Sequence, residues 1–152
     1  MIKDRNGIRD YAVVAFGRVA RLGFPTVSEY KNQICAEIRA KMATQDPQDI
    51  VIACESAIAH HAAVIADIDA VMRTFDTLRA QNADDIVKAV IAVYCAPGGD
   101  TWRQNVITYR IRAFAIKHYY GERTVHRMLK KAQMMFARYR GLAVEDEEGD
   151  IK

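Results

Sequence analysis

The run HYYGERTVHRMLKKAQ at 118–133 sets Arg123, Arg127, Lys130 and Lys131, with His118 and His126, around a single acid, Glu122. Val125, Met128, Leu129, Ala132, Phe136 and Tyr139 follow helical spacing and define one apolar face. Arg123, Arg127, Lys130, Lys131 and Arg138 lie largely off that face. Such a stripe serves recognition. Ammonium and guanidinium groups neutralise phosphates and release their counterions, while a forked guanidinium fits the O6 and N7 acceptors of guanine. The exposed positions at the start of the helix are Arg123, Thr124, His126 and Arg127, the ones placed to read base edges. Lys131 lies a turn beyond Arg127, toward a nucleic-acid backbone.

Charge is concentrated around this run. Residues 101–143 hold ten Lys or Arg and one acid, a balance of +9, whereas residues 1–100 sum to −2 and residues 144–152 to −4. The total of +3 hides a basic block that points to a polyanionic partner.

Other reactive side chains give weaker signals. His60 and His61 are adjacent on a helix, so their imidazoles point about 100° apart and cannot chelate one metal together. His118, Glu122 and His126 come at spacings of four, but neither a nucleophile nor a pocket accompanies them, and no enzyme activity is expected. APGGD at 96–100 lacks the Gly-Lys-Ser/Thr of a phosphate loop and reads as a linker. Met134 and Met135 read as core filling. Cys35, Cys54 and Cys95 are odd in number and far apart, which suits reduced, mostly buried thiols. Neither a metal nor a cofactor is expected.

These residues need elements to position them, and the pattern is helical throughout. Ile8, Tyr11, Ala12, Ala15, Phe16 and Val19 mark a first helix that Gly23 and Pro25 stop. TVSE at 26–29 is a capping box opening a second, to about Met42. Asp46 and Pro47 open a third. Its apolar or small residues alternate by four and three through Ile50, Cys54, Ala57, His61, Val64, Ile68, Val71, Phe75 and Leu78. Unbroken to Gln81, that pattern predicts a helix of about thirty residues, roughly 45–50 Å long. Such a helix outlasts a compact domain, so Val64, Ile68, Val71 and Phe75 are expected to mediate self-association, and His61 to be a polar seam residue setting register or oligomer state. Asn82 is expected to cap a fourth helix. CAPGGD at 95–100 is the clearest break. Two more helical patterns follow, separated by a tight YGE.

The expected fold is therefore all-α. An oligomerisation or interaction bundle over 1–95 is followed by a linker at 96–102, a helix-turn-helix over 103–143 and an acidic, disordered tail at 144–152. In the helix-turn-helix, Ala115 is the small residue permitting close approach and Val125 the plug. Phe114, Tyr120 and Met128 complete its core.

At these residues the sequence resembles a family. YGERTVHRMLKKAQ is similar to the second helix of phage late-gene transcription regulators of the RinA/ArpU type, themselves similar to the DNA-binding region four of sigma factors. The matching residues are Glu122 to Arg127 and Lys130 to Ala132. The resemblance covers about the last third of the chain and implies that Arg123, Thr124, His126, Arg127 and Lys130 face DNA. Tyr119 departs from it where many such motifs have a turn glycine, and His118 where they have an aliphatic residue. The resulting expectation is a phage- or prophage-encoded transcription regulator gripping double-stranded DNA through helix 123–140, as a homo-oligomer, most simply a dimer, with RNA polymerase as a second partner. A small terminase-like DNA-packaging subunit and a helical protein-interaction module are the alternatives. No apolar run reaches the ~20 residues of a membrane span. MIKDRNGIRDY lacks an apolar signal core, so the bacterial host cytoplasm is the expected location.

Overall fold

The computed structural model describes residues 5–96 and 104–142, and among them every regular element is a helix. The helices are α1 (Arg5–Arg21), α2 (Val27–Lys41), α3 (Pro47–His60), α4 (Ala62–Ala80), α5 (Asp84–Tyr94), α6 (Gln104–His118) and α7 (Glu122–Arg140). No single helix is long and apolar enough to cross a membrane among the described residues. The tail at 144–152 and most of the linker, 97–102, lie outside them.

Several helix ends follow from local hydrogen bonding. Thr26 Oγ1 accepts the Glu29 N–H at 3.0 Å and Glu29 Oε1 accepts the Thr26 N–H at 2.8 Å, so the capping box is complete. Asp46 Oδ1 accepts the Gln48 N–H at 2.9 Å, with Pro47 at the first helical position, where a missing N–H costs nothing. Asn82 does not cap α5. It takes the left-handed conformation at φ 59° just past the end of α4, and Ala83 is the N-cap residue without a side-chain bond. Asn is one of the few residues besides Gly that tolerate that region, which is why it serves the preceding helix.

The helix of about thirty residues is two helices. α3 has 14 residues and α4 has 19, and they meet at His61 with a bend of 63°. No proline or glycine stands at the break, so its cause is tertiary. α3 packs against α2, whereas α4 turns into α1, α5 and α7, and one straight rod cannot serve both sets of neighbours. His61 is half-buried, with Nδ1 2.9 Å from the Tyr30 hydroxyl of α2 and its ring edge-on to that tyrosine. Its role is to hold the bend rather than a seam between chains.

The core centres on Phe16 of α1. Its ring stacks on Phe75 of α4 at 5.9 Å and on Tyr94 of α5 at 6.1 Å, and tilts against Phe136 of α7 at 5.5 Å. One cluster of buried side chains runs from α1 through α4, α5 and α6 to α7, so helices on both sides of the 96–102 segment share a single core. The α2–α3 hairpin stands aside from it, contributing only Ile34 and Cys54 as buried residues. The self-association expectation changes accordingly. Ile68 and Val71 are 0% exposed and Phe75 2%, all inside the chain's own core, and Val64 is half-buried against it. Exposed apolar side chains on the former long helix are instead Val51 and Ile52 of α3.

Candidate nucleic-acid interface

Three residues, Tyr119 to Gly121, join α6 to α7. Tyr119 takes the left-handed conformation at φ 62°, the place of the turn glycine it replaces, and points into solvent at 95% exposure. The chain reverses there because the Tyr120 N–H reaches back to the Ala115 carbonyl at 2.9 Å, which closes the end of α6. Gly121 is then the N-cap residue of α7. Holding a tyrosine in that region costs about 1 kcal/mol or more. Tyr119→Gly is therefore expected to raise stability by up to about 1 kcal/mol, read as a higher urea midpoint with unchanged slope. A lowered midpoint would mean that the exposed ring contributes packing.

The structure brings the expected turn core together. Phe114, Ala115, Val125 and Met128 are buried and Tyr120 is half-buried, with the Phe114 and Tyr120 rings stacked at 6.1 Å. The Tyr120 hydroxyl donates to Asp85 of α5 at 3.1 Å, tying the turn to the rest of the bundle.

Arg123, His126, Arg127, Lys130 and Lys131 are exposed and Thr124 is half-exposed. At 3.6 residues per turn, Arg123, Arg127, Lys130 and Lys131 fall within an arc of about 100°. Among the described residues none of these four meets a carboxylate, whereas Arg9, Arg18, Arg73, Arg79, Arg112 and Arg140 are each paired with one. Glu122, the nearest acid in the sequence, is held by Arg112 at 3.1 Å. The first turn of α7 also aims free backbone N–H groups outward, adding positive potential at the same end. His126 and Lys130 sit at the border of the stripe, where they also line a groove against α1.

The reactive clusters discounted above stay apart. Among the described residues no group of three His, Cys, Asp or Glu side chains converges as metal ligands. His118 rests on Phe114 with ring centroids 4.3 Å apart, and Glu122 is engaged with Arg112. Cys35, Cys54 and Cys95 are free thiols, and Cys95 Sγ donates to the Phe16 carbonyl at 3.6 Å.

Burial pushes the Cys95 thiol up to about 12 from 9.0 and the Tyr94 phenol up to about 12 from 10.0. Both groups are neutral in the fold and ionise earlier in the unfolded chain. Their stabilisation is complete below about pH 9 and is lost as pH rises toward 12. The melting temperature is expected to fall across that window, and Cys95 to resist iodoacetamide at about pH 8 until the protein is denatured. Rapid labelling of native Cys95 would contradict this.

The arrangement with the strongest internal electrostatics lies away from the stripe. Asp67 of α4 is 0% exposed. Its Oδ1 accepts from Arg140 Nε of α7 at 2.7 Å and from the Tyr11 hydroxyl of α1 at 2.8 Å, while Oδ2 accepts from Arg18 of α1 at 3.1 Å. Arg140 also reaches the Tyr11 oxygen at 3.1 Å and covers its ring. The Asp67 hydrogen bond pushes the Arg140 guanidinium above its usual value, and burial, with Asp67 second, pushes Tyr11 up. A buried carboxylate with both oxygens engaged by three partners is a tie between α1, α4 and α7 rather than a reactive group. Its signal in the sequence is an acid on a buried stripe, since Val64, Asp67, Ile68, Val71, Thr74, Phe75 and Leu78 share one face.

No protein family, curated protein or solved structure matches the chain.

Proposed function

We propose that the protein binds double-stranded DNA as a sequence-specific transcription regulator of phage or prophage origin, with α6 and α7 acting as a helix-turn-helix. The observation that carries this reading is the stripe Arg123, Arg127, Lys130 and Lys131, exposed and without carboxylate partners among the described residues, at the open end of a helix whose other face is anchored in the core. Unpaired cations on a rigid support meet phosphates without first breaking internal ion pairs. Arg123, Thr124, His126 and Arg127 read base edges, and Lys130 and Lys131 hold the backbone. The chemistry is binding, with no catalytic step. Packaging of phage DNA by a terminase-like subunit uses the same surface, and ring-shaped oligomers on DNA would indicate that role.

One observation favours a protein-facing role for part of this region. Tyr109 and Ile116 of α6 are each 73% exposed and lie beside the exposed Arg112 and Lys117. An apolar face bordered by cations suits an acidic protein surface, such as a site on RNA polymerase or another partner.

Two substitutions test the DNA reading. Arg127→Ala is expected to cost about 1–3 kcal/mol on the selected cognate site and much less on random DNA. Lys131→Ala is expected to weaken all sequences alike and to reduce the salt slope by about one. Selection from a random duplex pool followed by mobility-shift titration at several salt concentrations reads both effects. Equal losses on cognate and random DNA would reduce α7 to an electrostatic surface. Unchanged binding in both variants would end the regulator reading.

A further inference from the structure

A groove of about 500 Å³ opens between α1, α6 and α7 on the border of the cationic stripe. Ile8 and Val13 of α1, Ile107 and Ile111 of α6 and Leu129 of α7 line it with aliphatic side chains. Among its buried lining residues, Gln133 Nε2 donates to the Tyr94 hydroxyl at 2.6 Å. The rim is cationic. Arg9, Lys130 and His126 border the opening, and the single acid there among the described residues, Asp10, lies 3.4 Å from Arg9. Two full cations against one carboxylate leave a net positive mouth over an apolar floor.

We infer that this groove is a binding site for a small amphipathic anion, an aliphatic or aromatic body carrying one carboxylate. The size lies within the range of small-molecule sites, which combine mostly apolar walls with a few placed polar groups. The apolar body displaces water from Ile8, Ile111 and Leu129, and its carboxylate lies between Lys130 and Arg9. A neutral ligand of the same body leaves both cations without that partner, and a cationic one is repelled. Lys130 and Arg9 are exposed; Lys130 meets no carboxylate among the described residues, and Arg9 contacts Asp10 through Nε at 3.4 Å.

Titration calorimetry of the full chain without DNA, with octanoate and octanol as probes, tests the site independently of any nucleic-acid role. Octanoate is expected to bind saturably at one site and octanol about tenfold more weakly, the factor that one charge-assisted contact supplies. Lys130→Met and Arg9→Met should each lower octanoate affinity several-fold with octanol unchanged. Val14, which lines the groove and is 41% exposed, offers a blocking position. Val14→Trp should abolish both ligands at an unchanged melting temperature. Absence of saturable octanoate binding up to its solubility limit would overturn the inference. Equal affinities for the two probes, or binding indifferent to all three variants, would overturn it as well.

Discussion

Asp67→Ala is expected to lower the melting temperature by on the order of 10 °C. The substitution removes the acceptor of three hydrogen bonds and leaves the Arg140 guanidinium, only 22% exposed, with Tyr11 as its remaining partner. Breaking a buried ion pair by deleting one partner costs about 3–5 kcal/mol, because the other charge stays desolvated. For a chain of this length each kcal/mol moves the midpoint by about 2–4 °C. Arg18 contributes little to the loss, since its side chain is 41% exposed and water replaces the lost carboxylate. Tyr11→Phe, which deletes one donor and keeps the ring, is expected to cost about 1 kcal/mol. Urea denaturation of both variants separates the two contributions. A loss below about 1 kcal/mol for Asp67→Ala would show that the three helices hold together without the tie.

What the sequence discloses here depends on how local each cause is. The capping box at Thr26 and Glu29 and the Asp46–Pro47 start are legible because every atom involved lies within a few residues. The apolar face of α7 is legible because Val125, Met128, Leu129, Ala132 and Phe136 keep helical spacing without interruption. The bend at His61 is not. Apolar periodicity continues through it, and only the competing demands of α2 on one side and α1, α5 and α7 on the other reveal it. Tyr119 is a different case. It departs from the motif's turn glycine, yet the Tyr120 N–H bond to Ala115 and the exposed ring let a tyrosine hold the left-handed position. The groove, too, is invisible in one dimension, since Arg9 and Lys130 are far apart in sequence and come to line one groove only when α1 lies against α7. Asp67 is not legible as a tie, because its partners Tyr11, Arg18 and Arg140 come from the two ends of the chain.

Burial of Phe75 yields the other large effect, and it separates folding from association. Phe75 is 2% exposed, stacked on Phe16 at 5.9 Å, tilted against Phe24 at 5.7 Å and covered by the Arg79 guanidinium. Truncation to Ala opens a cavity at the centre of the core and is expected to cost about 3–5 kcal/mol. Phe75→Asp adds the desolvation of a carboxylate in that space, so the total approaches the whole stability of a small domain, about 5–15 kcal/mol. The expected outcome is therefore an unfolded chain, seen as loss of helical circular dichroism, and not a folded monomer released from an oligomer. Ile52→Asp provides the contrast. Ile52 is 63% exposed on α3, and a surface substitution there should change stability by no more than about 0.5 kcal/mol. If the protein self-associates through the exposed side chains of α3, Ile52→Asp shifts its sedimentation toward the monomer while the melting temperature holds. A folded, monomeric Phe75→Asp protein would reverse the assignment, because it would show that α4 gives up a partner chain and not its own core.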